Sequence, residues 1–298
     1  MRTVYLGTSA FAAEVLDRLA STAHRPSLVV TRPDRPRGRG RKVAAPPVAE
    51  SARLLGIELI QPEQLNDEGT RAAIAAVEPD VVCICAYGAL IKEPLLSEHE
   101  MLNLHPSLLP RWRGAAPIER AIEAGDDETG VTIMRPTAEL DAGPLCLQRS
   151  EPIRPNDDYG SLSARLAGLG GELLIEALDL RPPLREQPAE GATYAEKIRR
   201  ADRVLDPGLM PDELERRVRA LTPHIGAFVE LPWDEPLGVL RAAVAPGENP
   251  APGGLAERDG RLLYGAAGGA LELLEVHPAG KRTMTAADWL RGNAARLG

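Results

Sequence analysis

The 298-residue chain reads as an α/β protein: an N-terminal doubly wound, mostly parallel sheet (Rossmann-like) followed by a small C-terminal antiparallel β-barrel (OB-like). Three observations predict this. Short apolar runs alternate with helical periodicity from residue 1 to about 150, the order that builds a parallel sheet with helices on both sides. One run, "DVVCICAYG" (80–88), is apolar throughout, as a strand covered on both faces must be. Beyond residue 223, short apolar runs are separated by Gly, Pro, Asp and Asn, the punctuation of a small barrel.

The elements follow in order. "TVYLG" (3–7) is a buried strand ending on Gly, and residues 9–20 continue as a helix with Ser9 as N-cap. A strand is expected at 26–31 and a helix at 45–56, with prolines at its start and Gly56 at its end. A short strand at 57–61 and an acid-led helix at 66–79 precede the apolar strand 80–88. "MLNLHPS" (101–107) is the next strand, 116–125 a helix, and 130–135 and 143–149 further strands. A long helix at 157–180 closes the region. Residues 181–205 begin with a Pro-, Gly- and charge-rich linker. The helix 211–223 then opens a second domain, 206–298.

Composition bounds the class. Apolar residues are 44% and charged residues 26%, as in a globular protein, and a net charge of −8 argues against coating nucleic acid by bulk charge. The longest apolar run is too short to span a membrane, and the N-terminus lacks signal-peptide architecture. A soluble cytoplasmic protein is expected, with no membrane or DNA partner, and a monomer. Cys83, Cys85 and Cys146 have neither disulfide nor zinc spacing and read as small buried hydrophobes, so no metal is expected.

In a parallel sheet, ligands bind beyond the carboxyl ends of the strands. "LNLHPSLLPRWRGAAP" (102–117) ends one such strand. Asn103 and His105 are two apart and share a strand face. An amide N–H can donate to a carbonyl oxygen gaining charge, and an imidazole can exchange a proton near neutral pH. Asp141, in a loop between two strands, could orient the imidazole. Such a trio suits acyl or formyl transfer to a nucleophile carried by the substrate. By spacing alone, an Asn-x-His pair is more often a satisfied strand end than a catalytic pair, and Asp141 more often a turn residue.

"TRPDRPRGRGRK" (31–42) carries Arg32, Arg35, Arg37, Arg39, Arg41 and Lys42 against Asp34 alone. It is a basic loop that could grip nucleic-acid phosphates, with a solvated charge run as the other reading. "LGTSAF" is not G-x-G-x-x-G, so no dinucleotide is expected.

At this point the sequence resembles the methionyl-tRNA formyltransferase family over nearly its whole length. The motifs are "GTSAFA" (7–12), the basic loop, "AYG" (86–88), "NLHPSLLPRWRGAAPIERAI" (103–122), "ETGVTIM" (128–134), "LDAGP" (140–144), "TYAEKI" (193–198) and "GKRTMTAADWLRG" (280–292). The resemblance implies transfer of a formyl group from 10-formyltetrahydrofolate, the co-substrate, to the α-amine of methionine on initiator tRNA. It implies a catalytic trio of Asn103, His105 and Asp141, and folate contacts at Ser107, Leu108, Leu109, Pro110, Tyr87 and Gly88. It implies that Phe11 lines a methionine pocket, and that Arg35, Arg37, Arg39, Arg41 and Lys42 bind tRNA. Residues 1–180 would form the catalytic domain, 181–205 a linker and 206–298 a tRNA-binding barrel. The chain departs from the family at Glu139, where Gly is usual, and at Pro144, where an acid is common, which bears on the path of the Asp141 loop. A sugar-nucleotide N-formyltransferase and an inactive tRNA- or folate-binding module are the alternatives.

Overall fold

A computed structural model describes residues 1–37, 42–233 and 235–297. The chain opens with β1 (Thr3–Gly7), α1 (Ala10–Ala20) and β2 (Pro26–Val30). The Ser9 hydroxyl accepts the Ala12 N–H, satisfying one of the free donors of the first turn of α1. Within the described part of the basic segment and just after it, β3 (Arg35–Arg37) and β4 (Lys42–Ala44) pair antiparallel, with Arg37 opposite Lys42. Next come α2 (Pro47–Leu55), β5 (Glu58–Ile60), α3 (Glu68–Ala76) and β6 (Val81–Cys85). Gly56 ends α2 in the left-handed region at φ 64°, and Asp67 caps α3. They are followed by α4 (Leu95–Glu98), β7 (Met101–His105), β8 (Arg113–Gly114), α5 (Pro117–Ala124), β9 (Glu128–Met134), β10 (Leu145–Pro152), α6 (Tyr159–Leu180) and β11 (Tyr194–Ala195).

Seven strands form one sheet in the order β10-β9-β7-β6-β1-β2-β5. Five of them, β7, β6, β1, β2 and β5, run parallel, and β9 is antiparallel to β7. From β1 the chain steps outward to β2 and β5, then returns to β6 on the other side of β1. That reversal opens a crevice at the carboxyl ends of β1 and β6, and the end of β7 lies beside it. The alternate residues Val4, Leu6, Leu28, Val30, Val82 and Ile84 fill one core cluster. On the opposite parity Tyr5 is fully buried and its hydroxyl donates to the Ala12 carbonyl at 2.6 Å. Burial pushes the Cys83 and Cys85 thiols up to about 12. All three cysteines are free and buried.

The chain divides into two compact units: residues 1–114, 129–152 and 163–195 in the first, and 115–128, 153–162 and 196–298 in the second. The stretch read as a linker is not bare connection in its first part. Leu145 and Arg185 exchange backbone hydrogen bonds, and β11 pairs with β8. The second unit adds α7 (Pro211–Leu221), β12 (Ala227–Val229), β13 (Leu237–Ala245), β14 (Leu255–Arg258), β15 (Arg261–Ala266), β16 (Gly269–His277), β17 (Met284–Thr285) and α8 (Ala286–Asn293). Its strands run in the order β12-β13-β16-β15-β14, with β17 on β16, and curl as an antiparallel half-barrel. Val218, Leu221, Val239, Leu273, Val276 and Trp289 meet in its core.

Helix α5 belongs to this second unit although it follows the candidate site directly in sequence. Its Glu119 carboxylate lies 2.9 Å from His224 Nε2, and the His224 ring stacks on Tyr159 at 3.5 Å. Arg216 of α7 donates to the Glu123 carbonyl and Arg217 to its carboxylate. Among the described residues no helix is long and apolar enough to cross a membrane, and no group of three His, Cys, Asp or Glu is placed to hold a metal ion.

Candidate active site

Strand β7 sorts its residues by parity. Leu104 faces α6, where a Cβ on Gly170 would stand 2.8 Å from Leu104 Cδ1, so helix and strand approach closely only because position 170 is Gly. Asn103 and His105 share the other face. Asn103 sits between Ile84 of β6 and Met134 of β9 in register. Among the described residues its amide donates to one weak partner, Met134 Sδ at 3.7 Å, so the N–H groups retain donor capacity.

His105 is 4% exposed. Its Nε2 lies 2.8 Å from the Trp112 carbonyl oxygen. A carbonyl only accepts, so Nε2 carries the hydrogen and the neutral ring presents a lone pair at Nδ1. Nδ1 faces Asp141 Oδ2 across 3.6 Å, too far for a direct hydrogen bond. The same carboxylate oxygen accepts the Gly114 N–H at 2.8 Å. Gly114 must be glycine twice over: its φ is 118°, and a Cβ would stand 2.7 Å from the Ala195 carbonyl oxygen.

Asp141 sits in the left-handed region at φ 49°, as does Trp112 at φ 63°. Non-glycine residues hold such conformations only where surroundings fix them. The Gln187 amide donates to the Asp141 and Gly143 carbonyls, both at 2.8 Å. Its oxygen accepts from Arg113 Nε at 3.1 Å and Nη2 at 2.7 Å. The departures at Glu139 and Pro144 are accommodated in this loop. The Pro144 carbonyl accepts the Arg135 N–H, and Glu139 points outward toward Arg113 Nη1 at 3.6 Å.

The turn after His105 is held from below. Thr132 Oγ1 donates to the Ser107 carbonyl and accepts the Leu109 N–H, and Gln148 Nε2 donates to the Leu109 carbonyl. Of the four turn residues, Ser107 and Leu109 are internal. The Ser107 hydroxyl donates to the Arg111 carbonyl at 2.6 Å, and Leu109 packs with Met134 and Leu145. Leu108 and Pro110 are partly exposed. Tyr87 is buried in the first core cluster, its carbonyl accepts the Thr8 hydroxyl, and its own buried hydroxyl has no hydrogen-bond partner among the described residues. Burial pushes that phenol upward, opposed in part by Arg32. Gly88, at φ 81°, has open space where a Cβ would stand. Phe11 lies in the first turn of α1, just past the end of β1, and is 8% exposed.

Thus the structure brings Asn103, His105 and Asp141 together at the carboxyl end of β7, with the 107–110 turn beside them. Arg35, on the ribbon, is engaged by Glu63, and Lys42 is exposed. Arg37 is described through its backbone pairing with Lys42. Arg39 and Arg41 lie outside the described residues. Sequence reasoning missed Arg113, Gln187 and Thr193. Gln187 and Thr193 lie in a Pro- and Gly-rich stretch, and no periodicity marks them.

An amide donor, an imidazole with an available nitrogen and a facing carboxylate at the end of a parallel strand are groups suited to acyl-group chemistry. The chain belongs to the formyl transferase family: the family described as "Formyl transferase" matches residues 1–178, and "Formyl transferase, C-terminal domain" matches residues 197–294. Within that family, its relatives include the methionyl-tRNA formyltransferases of Methylococcus capsulatus and Thermus thermophilus. Both are 43% identical, covering 99% of this chain and 97% of the former, and 98% and 96% for the latter. Among solved structures, HypX from Aquifex aeolicus in complex with tetrahydrofolic acid shares the fold, with a TM-score of 0.67 at 20% identity. It covers 97% of this chain, which spans about half (47%) of that protein.

Proposed function

We propose that the protein transfers the formyl group of 10-formyltetrahydrofolate to the α-amine of methionyl initiator tRNA, giving formylmethionyl-tRNA for translation initiation. The observation that carries this reading is that His105 Nδ1 and the Asp141 carboxylate face each other across 3.6 Å beside the half-free Asn103 amide, two acceptors when the ring is neutral. Two opposed acceptors suit a group that brings its own hydrogens, and an amine does. The near-full-length likeness to methionyl-tRNA formyltransferases supports the choice of amine.

The residues present fit a folate. Gly88 leaves open space beyond the end of β6, Leu108 and Pro110 offer partly exposed apolar surface, and the buried Tyr87 hydroxyl has no partner among the described residues. When bound, the folate supplies an activated formyl carbonyl. The Asn103 N–H would donate to the carbonyl oxygen as negative charge develops, an interaction worth about 3–4 kcal/mol in comparable sites. His105 Nδ1 would take a proton from the attacking amine, the Asp141 carboxylate would stabilise the imidazolium so formed, and the same nitrogen would return that proton to the folate nitrogen as its bond to the formyl carbon breaks. Holding two large substrates in register would supply much of the remaining rate.

In this reading residues 1–180 carry the chemistry and 206–298 hold tRNA, with 181–205 between them. Phe11 lines the methionine pocket, and Arg35, Arg37, Arg39, Arg41 and Lys42 contact tRNA phosphates. The protein acts as a cytoplasmic monomer. The test is direct: purified protein, 10-formyltetrahydrofolate and methionine-charged initiator tRNA, with an amino sugar nucleotide as competing acceptor. Formylmethionyl-tRNA is expected. Product only on the sugar would replace the reading with a sugar N-formyltransferase, and no product on either with a binding module.

A further inference from the structure

The segment 185–195 touches every part of the site that fixes His105. Arg185 closes the far end of the Asp141 loop by pairing with Leu145, and its guanidinium donates to Gln148 Oε1 at 3.0 Å. Gln187 holds Asp141 and Gly143 through their carbonyls. Thr193 holds the other side. Its N–H donates to the Pro110 carbonyl, its hydroxyl oxygen accepts the Trp112 N–H at 2.9 Å, and its carbonyl accepts the Arg113 N–H at 2.9 Å. Trp112 is the residue whose carbonyl receives His105 Nε2, and Asp141 is the residue that faces Nδ1. Each nitrogen of the ring is therefore addressed through one residue of a single strap.

We propose that residues 185–195 form a positioning strap for the transfer reaction, in which Gln187 sets Asp141 and Thr193 sets Trp112. The inference rests on the formyl-transfer reading for its effect on rate, and on geometry alone for its effect on the loop. Gln187 is suited to the task because its amide is saturated. Both N–H groups are donated to loop carbonyls and the oxygen accepts two bonds from one guanidinium. A flipped amide would set N–H against N–H and oxygen against oxygen, so only one orientation satisfies it. These bonds pin the loop around an Asp141 backbone that is unfavourable on its own, at φ 49°. Gln187 touches no reacting atom. It acts through Asp141.

Two substitutions separate its contacts. Gln187→Glu keeps the acceptor for Arg113 and removes both donors to the loop, whereas Gln187→Ala removes everything. Both are expected to lower kcat by about 10- to 100-fold, the scale of an ångström-sized misplacement, with little change in KM for either substrate. Thr193→Val, which removes the acceptor for the Trp112 N–H, is expected to lower kcat similarly. Thr193→Ser is expected to restore it.

The reporter independent of activity is the Gly114 amide proton, which is hydrogen-bonded to the Asp141 carboxylate at 2.8 Å. In 1H–15N correlation spectra of the full chain it is expected to move upfield and exchange faster in both Gln187 variants, with melting temperatures close to the parent. A Gly114 amide that stays in place in either variant, or kcat unchanged while the amide moves, would overturn the proposal. If the parent protein forms no formylmethionyl-tRNA, the functional reading falls, and the Gly114 amide still decides whether Gln187 positions Asp141.

Discussion

His105 Nε2 and the Trp112 carbonyl oxygen stand 2.8 Å apart, and that bond commits the hydrogen to Nε2. The other nitrogen, Nδ1, looks toward Asp141, and in the proposed mechanism it is the one that meets the substrate. His105→Ala is accordingly expected to lower kcat by about 100- to 10,000-fold, the usual contribution of a positioned acid or base. Binding of a folate analogue, followed by calorimetry, should be nearly intact. Lost folate binding would make the residue structural.

Asp141 combines an unusual backbone with a charge, and two substitutions distinguish them. Asn tolerates the left-handed region and keeps an oxygen to accept the Gly114 N–H, but it cannot balance an imidazolium. Asp141→Asn should therefore retain stability and lose turnover. Asp141→Ala should lose both, and parallel melting and kinetic measurements would reveal the difference. Equal turnover in Asp141→Asn and the parent would remove charge from the mechanism.

Gly143 is the tightest point of the same loop. A Cβ there would stand 2.0 Å from the Arg135 carbonyl oxygen and 2.9 Å from Thr137 Cγ2. Gly143→Ala forces backbone to move, and a cost of about 1–3 kcal/mol is expected, as for other overpacked sites. Urea denaturation measures it. A substitution without effect would mean that the loop adapts and does not hold Asp141 in one place.

The buried thiols give the protein an alkaline limit. Burial raises Cys83 and Cys85 from 9.0 to about 12, and burial likewise raises Tyr264 to about 12. A folded state that keeps these protons longer than the unfolded chain is stabilised in full below the unfolded values, near 9 for the thiols. That contribution is lost as pH climbs toward about 12. Stability should therefore decline through this window, and iodoacetamide at pH 8 should leave Cys83 and Cys85 unmodified until denaturant is added. Rapid labelling of the native protein would contradict their burial.

Arg39 is expected to contact tRNA phosphates. Arg39→Ala should raise KM for tRNA and lower the slope of affinity against salt by about one counterion, without changing kcat. Titration of tRNA at several salt concentrations checks it, and unchanged slopes would leave the segment a solvated charge run.

Much of the first unit was legible because its signals are local. The apolar alternation, the Ser9 and Asp67 caps and the glycine at 56 each act within a few residues. Asn103 and His105 were legible as a pair because strand period puts them on one face. What was not legible depends on contacts distant in sequence. The bond from Gln187 to Asp141 spans 46 residues, and a saturated glutamine looks no different in sequence from a solvated one. The basic segment carried no alternating pattern, so its antiparallel ribbon, set by the pairing of Arg35 with Ala44, went unread. In the 107–110 turn, Ser107 and Leu109 turn inward and Leu108 and Pro110 stay partly exposed, a division that spacing alone does not show.

The division between the units falls between Gly114 and Ala115, inside one continuous motif. Its first half carries the candidate site, while its second half is α5, which rests on α7 through Glu123, Arg216 and Arg217 and on His224 just beyond α7 through Glu119. A protein cut anywhere between 181 and 205 would strand α5 on the wrong fragment. The N-terminal piece would leave Glu119 and Glu123 without His224, Arg216 and Arg217, and the C-terminal piece would lose the helix that packs on α7. Grafting the carboxyl half onto another formyl-transfer domain meets the same obstacle. To exchange the second unit between relatives, an engineer must transplant two short inserts, 115–128 and 153–162, along with the tail.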